Sequence, residues 1–233
     1  IGLWKQFGSF LAVRDVTFTI PKGQVVAFLG PNGAGKTTTM RLLTGFIAPT
    51  KGHARIAGID VQTHRIEAAE HLGYLPENGP LYPDMTPRDL LTFFGSVRGM
   101  SRAQLQDRME AVVAQCALSQ VADKPTGKLS KGYKQRVAMA LALLHDPEVL
   151  IMDEPTSGLD PNQIQGVRKL IRELGQTKTI IVSTHILQEV APIAHRVLFI
   201  HDGKLVFDGT PEEMTAEGLT MEEKFHTLTA QPV

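Results

Sequence analysis

The amino-acid sequence predicts an α/β protein with a mostly parallel sheet, and three observations carry that prediction. A β-rich run, "VVAFLG", leads through the glycine-rich "PNGAGK" into a helical run, "TTTMRLLTGF". Further on, "EVLIMDEP", a helical stretch near 162–174 and "TIIVSTH" repeat the order strand, helix, strand, which calls for βαβ units. Between these halves, over about 78–144, the spacing is helical, so a helical lobe is inserted into the sheet.

Taken in order, "RDVTFTI", a Pro-Lys-Gly turn and "QVVAFLG" predict two strands joined by a turn, the start of an N-terminal antiparallel β region. "PTKGHARIAGIDV" predicts short strands with their tightest bends at Gly52 and Gly58. The lobe opens with Thr86 as a helix cap, Pro87 at the first helical position and Asp89 three residues after the cap. Ser101 and Gln104 repeat the pattern at the next helix, and "GYKQRVAMALALLHD" completes the lobe. "RVLFIHDGKLVFDG" alternates on both sides of Asp202-Gly203, the signal of a tight hairpin. The chain therefore divides into one domain, 1–212, and a charged tail, 213–233, with a short helix.

Composition narrows the function classes. With 24 Lys plus Arg against 24 Asp plus Glu the formal net charge is zero, which gives no electrostatic footprint for nucleic acid. Hydrophobic residues make up 42% of the 233, enough for a sizeable core. The longest apolar runs are strand-sized, far short of the roughly 20 residues that span a bilayer, so work at a membrane would require a partner. A single cysteine, Cys116, fits a reducing cytoplasm and reads as apolar filler.

The chemistry sits in three places. "GPNGAGKT", Gly30 to Thr37, matches the phosphate-loop pattern GxxxxGK(S/T): Gly30, Pro31, Asn32, Gly33, Ala34 and Gly35 form a loop whose backbone N–H groups, with those of the helix start, turn toward phosphate oxygens. Lys36 adds a mobile cation, and the hydroxyl of Thr37 suits Mg²⁺, with Thr38 beside it. "VLIMDE" ends a strand in two carboxylates on the same sheet edge, where Asp153 would hold Mg²⁺ and Glu154 would orient or deprotonate the attacking water. His185, after "TIIVST", reaches that edge too and could hydrogen-bond a γ-phosphate.

This set of motifs resembles the nucleotide-binding subunit of ATP-binding cassette transporters, over about residues 1–212. The resemblance implies a P-loop NTPase fold with a RecA-like core, ATP with Mg²⁺ as ligands, and a head-to-tail pair of subunits, expected to be two identical copies. An LSGGQ-like signature reads "LSKGY" here, with Lys131 and Tyr133 in place of a glycine and the glutamine. By the resemblance, Ser130, Gly132 and the helix start serve the γ-phosphate of ATP held by the opposite subunit. "SGLD", Ser157 to Asp160, is similar to the loop through which the two sites communicate, and Phe7 stands where an aromatic stacks on adenine, with Trp4 as a nearby rival. In "GYLPENGPLY" Glu77 replaces a glutamine that approaches Mg²⁺ and relays the nucleotide state to the membrane partner.

"LSKGY", "GYLPE" and "LYPDMT" together look most like the branch serving exporters of drugs and polysaccharides, and within it the gliding-motility type. The expected partners are a second ATP-binding subunit and a transmembrane permease, and the expected place is the cytoplasmic, inner face of the cell membrane. Two other classes keep parts of the pattern. Soluble ATPases of the same family generally carry two cassettes, a long coiled coil or a basic face, and a small-molecule kinase has no use for "LSKGY".

Overall fold

The computed structural model describes residues 1–79, 81–215 and 220–230. Pro80, in the loop that carries Glu77, and parts of the expected tail, 216–219 and 231–233, lie outside the described residues. The chain opens with β1 (Leu3–Phe7) and β2 (Phe10–Val16), an antiparallel pair, followed by β3 (Val25–Leu29), α1 (Lys36–Leu43), the small hairpin β4 (Arg55–Ile56) and β5 (Ile59–Asp60), α2 (Arg65–Glu70) and β6 (Leu72–Leu75). Three longer helices come next: α3 (Pro87–Val97), α4 (Arg102–Gln115) and α5 (Lys131–Leu143). The chain then returns through β7 (Val149–Asp153), α6 (Pro161–Gly175), β8 (Thr179–Thr184), β9 (Arg196–His201), β10 (Lys204–Gly209), α7 (Pro211–Met214) and α8 (Met221–Ala230).

Six strands form one sheet in the order β10-β9-β3-β8-β7-β6, parallel except for β10. Its central strands read as unbroken apolar runs because both faces are covered. The two-residue period still sorts them. Val25, Ala27 and Leu29 of β3 join Leu150 and Met152 of β7, Ile180 and Val182 of β8 and the apolar faces of α3 to α6 in one core. Val26 and Phe28 point the other way, with Ile151, Ile181, Leu198 and Ile200, into a second core under β1, β2 and α1. The sheet thus separates two layers, and α1 lies on the second.

Local chemistry sets the ends of these elements. Thr86 with Asp89 and Ser101 with Gln104 form reciprocal capping boxes, each satisfying two N–H groups that a helix start leaves unpaired. Asp202 and Gly203 both take positive φ, 45° and 77°, the twist a two-residue hairpin needs to match its strands. The run "RDVTFTI" departs from expectation: β2 ends at Val16, and Thr17 to Ile20 continue as irregular chain.

Candidate nucleotide site

Strands β3, β8 and β7 stand side by side and parallel, so the segments after Leu29, Thr184 and Met152 leave the sheet at one carboxyl edge. The phosphate loop, His185 and the Asp153-Glu154 pair meet there. Beside them lies a cavity of about 530 Å³ lined by Asn32, Gly33, Gly35, Lys36, Thr37 and Thr38 from the loop and α1, Glu154, Ser157 and His185 from the far strands, Glu77 from the loop after β6, and Phe10 and Ala12 from β2.

The loop owes its shape to glycine. Gly35, the residue before the first turn of α1, sits at φ 104°, and a Cβ there would stand 2.5 Å from the carbonyl oxygen of Ala12. No side chain caps this helix, so its first N–H groups have no intrahelical partner at the place where the helix dipole is positive. Gly30 and Pro31 serve through their carbonyls, which accept from the ammonium of Lys36 at 2.8 and 3.2 Å. Ala34 is buried, and its N–H donates to the Pro31 carbonyl at 3.2 Å, closing the loop.

Glu154 supplies the turn at the end of β7 with its own backbone. At φ 50° it occupies the left-handed region, which costs a side-chain-bearing residue about 1–2 kcal/mol. Its N–H is shared between Ser183 Oγ at 3.0 Å and the Ser183 carbonyl at 3.2 Å, and this holds the turn. The carboxylate then lies between two donors: Oε1 is 3.3 Å from Lys36 Nζ, and Oε2 is 2.9 Å from His185 Nδ1. Lys36 and Glu154 are both nearly fully buried, so each charge depends on the other for compensation.

Asp153 follows Ile151 by one period, which aims it at the α1 side of the sheet. Its Oδ1 accepts the hydroxyl of Ser183, while Oδ2 is buried and has no hydrogen-bond partner. Ser183 thus holds both acids. Sequence reasoning passes over it, although a serine ending the apolar run "TIIVS" is a polar group that must find a buried partner.

Several expected site residues do not line this cavity, among them Ser130 and Gly132, which are expected to face the opposite subunit. Phe7 does not line the cavity; its cross-strand partner Phe10 does, and the ammonium of Lys5 sits 5.0 Å from the Phe7 ring. Trp4 is likewise drawn away, with Lys51 6.0 Å from its ring. The Asp160 carboxylate is committed as the cap of α6, accepting from Gln163 N at 2.9 Å, so Ser157 rather than Asp160 reaches the cavity from that loop. Ser130 caps α5, and Gly132 packs against Gln163; neither borders the cavity of its own chain. Lys131 lays its ammonium against Gly158, which has no side chain to obstruct it. Cys116 is buried, and burial pushes its thiol up to about 12, so it is inert filler.

Known proteins resemble this arrangement. Residues 13–157 match the ABC transporter family. The probable multidrug ABC transporter ATP-binding protein YbhF of Escherichia coli (strain K12) is 34% identical over 227 residues, 97% of this chain, but the chain spans only 39% of that protein. Nod factor export ATP-binding protein I of Paraburkholderia xenovorans (strain LB400) is 38% identical over 213 residues, covering 91% of this chain and 70% of that protein. A solved structure described as the ATP binding subunit of an ABC transporter superposes with a TM-score of 0.87 at 28% identity, covering 97% of both chains. A phosphate loop, two carboxylates and a histidine on one sheet edge, with these likenesses along nearly the whole chain, place it in the ABC transporter family as an ATP-binding subunit.

Proposed function

We propose that this chain binds and hydrolyses ATP to drive a membrane exporter, acting as one of two identical ATP-binding subunits that close head to tail beneath a transmembrane permease. The observation that carries this reading is the placement of Glu154 between Lys36 and His185 at the mouth of the phosphate loop. Triphosphate entering the loop offers Lys36 a stronger anionic partner than Glu154, so the carboxylate is released to take a proton from water. His185 then presents a donor at the γ-phosphate end, and the α1 N-terminus stabilises charge on the phosphate oxygens.

The residues present fit Mg²⁺. Mg²⁺ is usually held through one or two carboxylates and completes its octahedral shell with other oxygens from phosphates and water. The unpartnered Oδ2 of Asp153 is such an oxygen, the Thr37 hydroxyl on the cavity wall a second, and Glu77 a third. When bound, the ion would neutralise charge on the β- and γ-phosphates.

The signature supports the paired arrangement. Ser130, Gly132 and the start of α5 form a helix N-terminus that does not line the phosphate-loop cavity of its own chain, and a facing copy would bring a phosphate to it. No described helix is long and apolar enough to cross a membrane. In the proposed arrangement the permease supplies the path across the membrane and this chain acts on its cytoplasmic face. The name of the Nod factor protein favours export. Glu154→Gln tests the core of the proposal: ATP binding is retained and turnover falls by about 10²–10⁴-fold. Turnover within a few-fold of wild type would remove Glu154 from its role.

A further inference from the structure

His185 is half-exposed, and its side-chain bond to Glu154 joins it to a group that must move during the reaction. Its backbone, however, is pinned on both sides. The Thr184 hydroxyl, fully buried at the end of β8, accepts the N–H of Ile186 at 3.0 Å and donates to Glu189 Oε2 at 2.8 Å. A hydroxyl has one proton, and the Glu189 carboxylate takes it, so the lone pairs of Thr184 stay turned toward Ile186. Glu189 N–H in turn donates to the Ile186 carbonyl at 3.1 Å, and Arg168 Nη2 of α6 donates to the carbonyl of Gln188 at 3.2 Å. The residues on either side of His185 are thereby tied to one carboxylate.

Glu189 is only 2% exposed, and its second oxygen, Oε1, is buried with no hydrogen-bond partner. A half-satisfied buried carboxylate is an expensive way to stabilise a turn, and its cost points to a task other than stability. We propose that Glu189, acting through Thr184, is a positioning residue for His185. It holds the turn 184–186 rigid so that the imidazole keeps its place at the phosphate end of the cavity while Glu154 lets go. This rests on the reading of His185 given above.

The test compares ATP hydrolysis by the whole chain carrying Glu189→Ala, Glu189→Gln, His185→Ala and the double variant Glu189→Ala/His185→Ala, with the His185 ring resonance followed by NMR. A loosened turn misplaces the ring by a fraction of a side-chain length, and such errors cost up to about 10²-fold in kcat. Glu189→Ala is expected to lower kcat by about 10–10²-fold with KM for ATP little changed and to shift the ring resonance. Glu189→Gln keeps an acceptor for Thr184 and restores most of the rate. The double variant is no slower than His185→Ala, because both substitutions remove one function. Wild-type kcat in a folded Glu189→Ala protein, or losses that simply add in the double variant, would overturn the proposal. Should Glu189→Ala not fold, Thr184→Val removes the same link, and Thr184→Ser is the matching rescue. If His185→Ala turns over normally, the assignment of His185 to the phosphate falls, while the ring resonance still decides whether Glu189 positions it.

Discussion

Glu154 shows how one residue can be both strained and sufficient. Its left-handed backbone carries the carboxylate from the end of β7 back over the phosphate loop, and two bonds to Ser183 hold it there. "DE" after an apolar run foretells two acids at one sheet edge, but not that the second reaches Lys36 and His185 by a positive φ, because side-chain identity says little about a turn held from another strand. The ring beside the cavity is a second case at this scale. Phe7 and Phe10 are directly paired across the β1–β2 turn, so sequence position cannot say which ring borders the cavity. Phe10 does, and base stacking on a protein ring is worth about 1–3 kcal/mol. Phe10→Ala is therefore expected to raise KM for ATP by about 5-fold or more, with a smaller effect from Phe7→Ala. Titration of both variants with ATP checks this, and the reverse order would return the base to Phe7.

Elements with strong local signals are legible in the sequence. The phosphate loop, both capping boxes in the lobe and the Asp202-Gly203 hairpin all stand where their residues put them. Elements without such signals are not. α2 is six residues long, has no side-chain cap and buries only Ala68, so it carries no periodicity to detect. β1 changes register twice against β2, which breaks the alternation a strand is recognised by. His145, where the end of α5 meets β6, shows what such contacts do to stability. Its Nε2 lies 3.1 Å from the Leu72 carbonyl, and burial, reinforced by Arg98, pushes the imidazole down to about 4. A histidine held neutral in the fold but protonated when unfolded contributes stability above about pH 6.5 and loses it as pH falls toward about 4. Between pH 7 and 5 this amounts to about 1–2 kcal/mol, allowing for partial exposure. Urea unfolding at the two pH values should show that loss in the wild type and a smaller one in His145→Gln. Equal losses in both would clear His145.

At the scale of the molecule, one sheet between two cores presents a single edge, where the phosphate loop, Glu154 and His185 border one cavity. The signature lies off the cavity, and the proposal that the chain is half of a site is legible only through the family pattern, since no feature of a lone sequence says which copy a loop will face. Coupling to transport is a claim about a partner. Purification of the tagged protein from its native cells in mild detergent should bring down a protein with several membrane spans, and recovery of ribosomal or DNA-bound proteins instead would favour a soluble ATPase. The paired site itself is tested most directly by mixing two inactive forms, Lys36→Ala, which lacks the phosphate-loop cation, and Ser130→Arg, which blocks the signature. Mixed dimers, shown to form by separate tags, contain one intact site assembled from the phosphate loop of one subunit and the signature of the other. ATP hydrolysis in the mixture well above that of either variant alone is the predicted result. Mixed dimers as inactive as their parents would contradict a site shared between subunits.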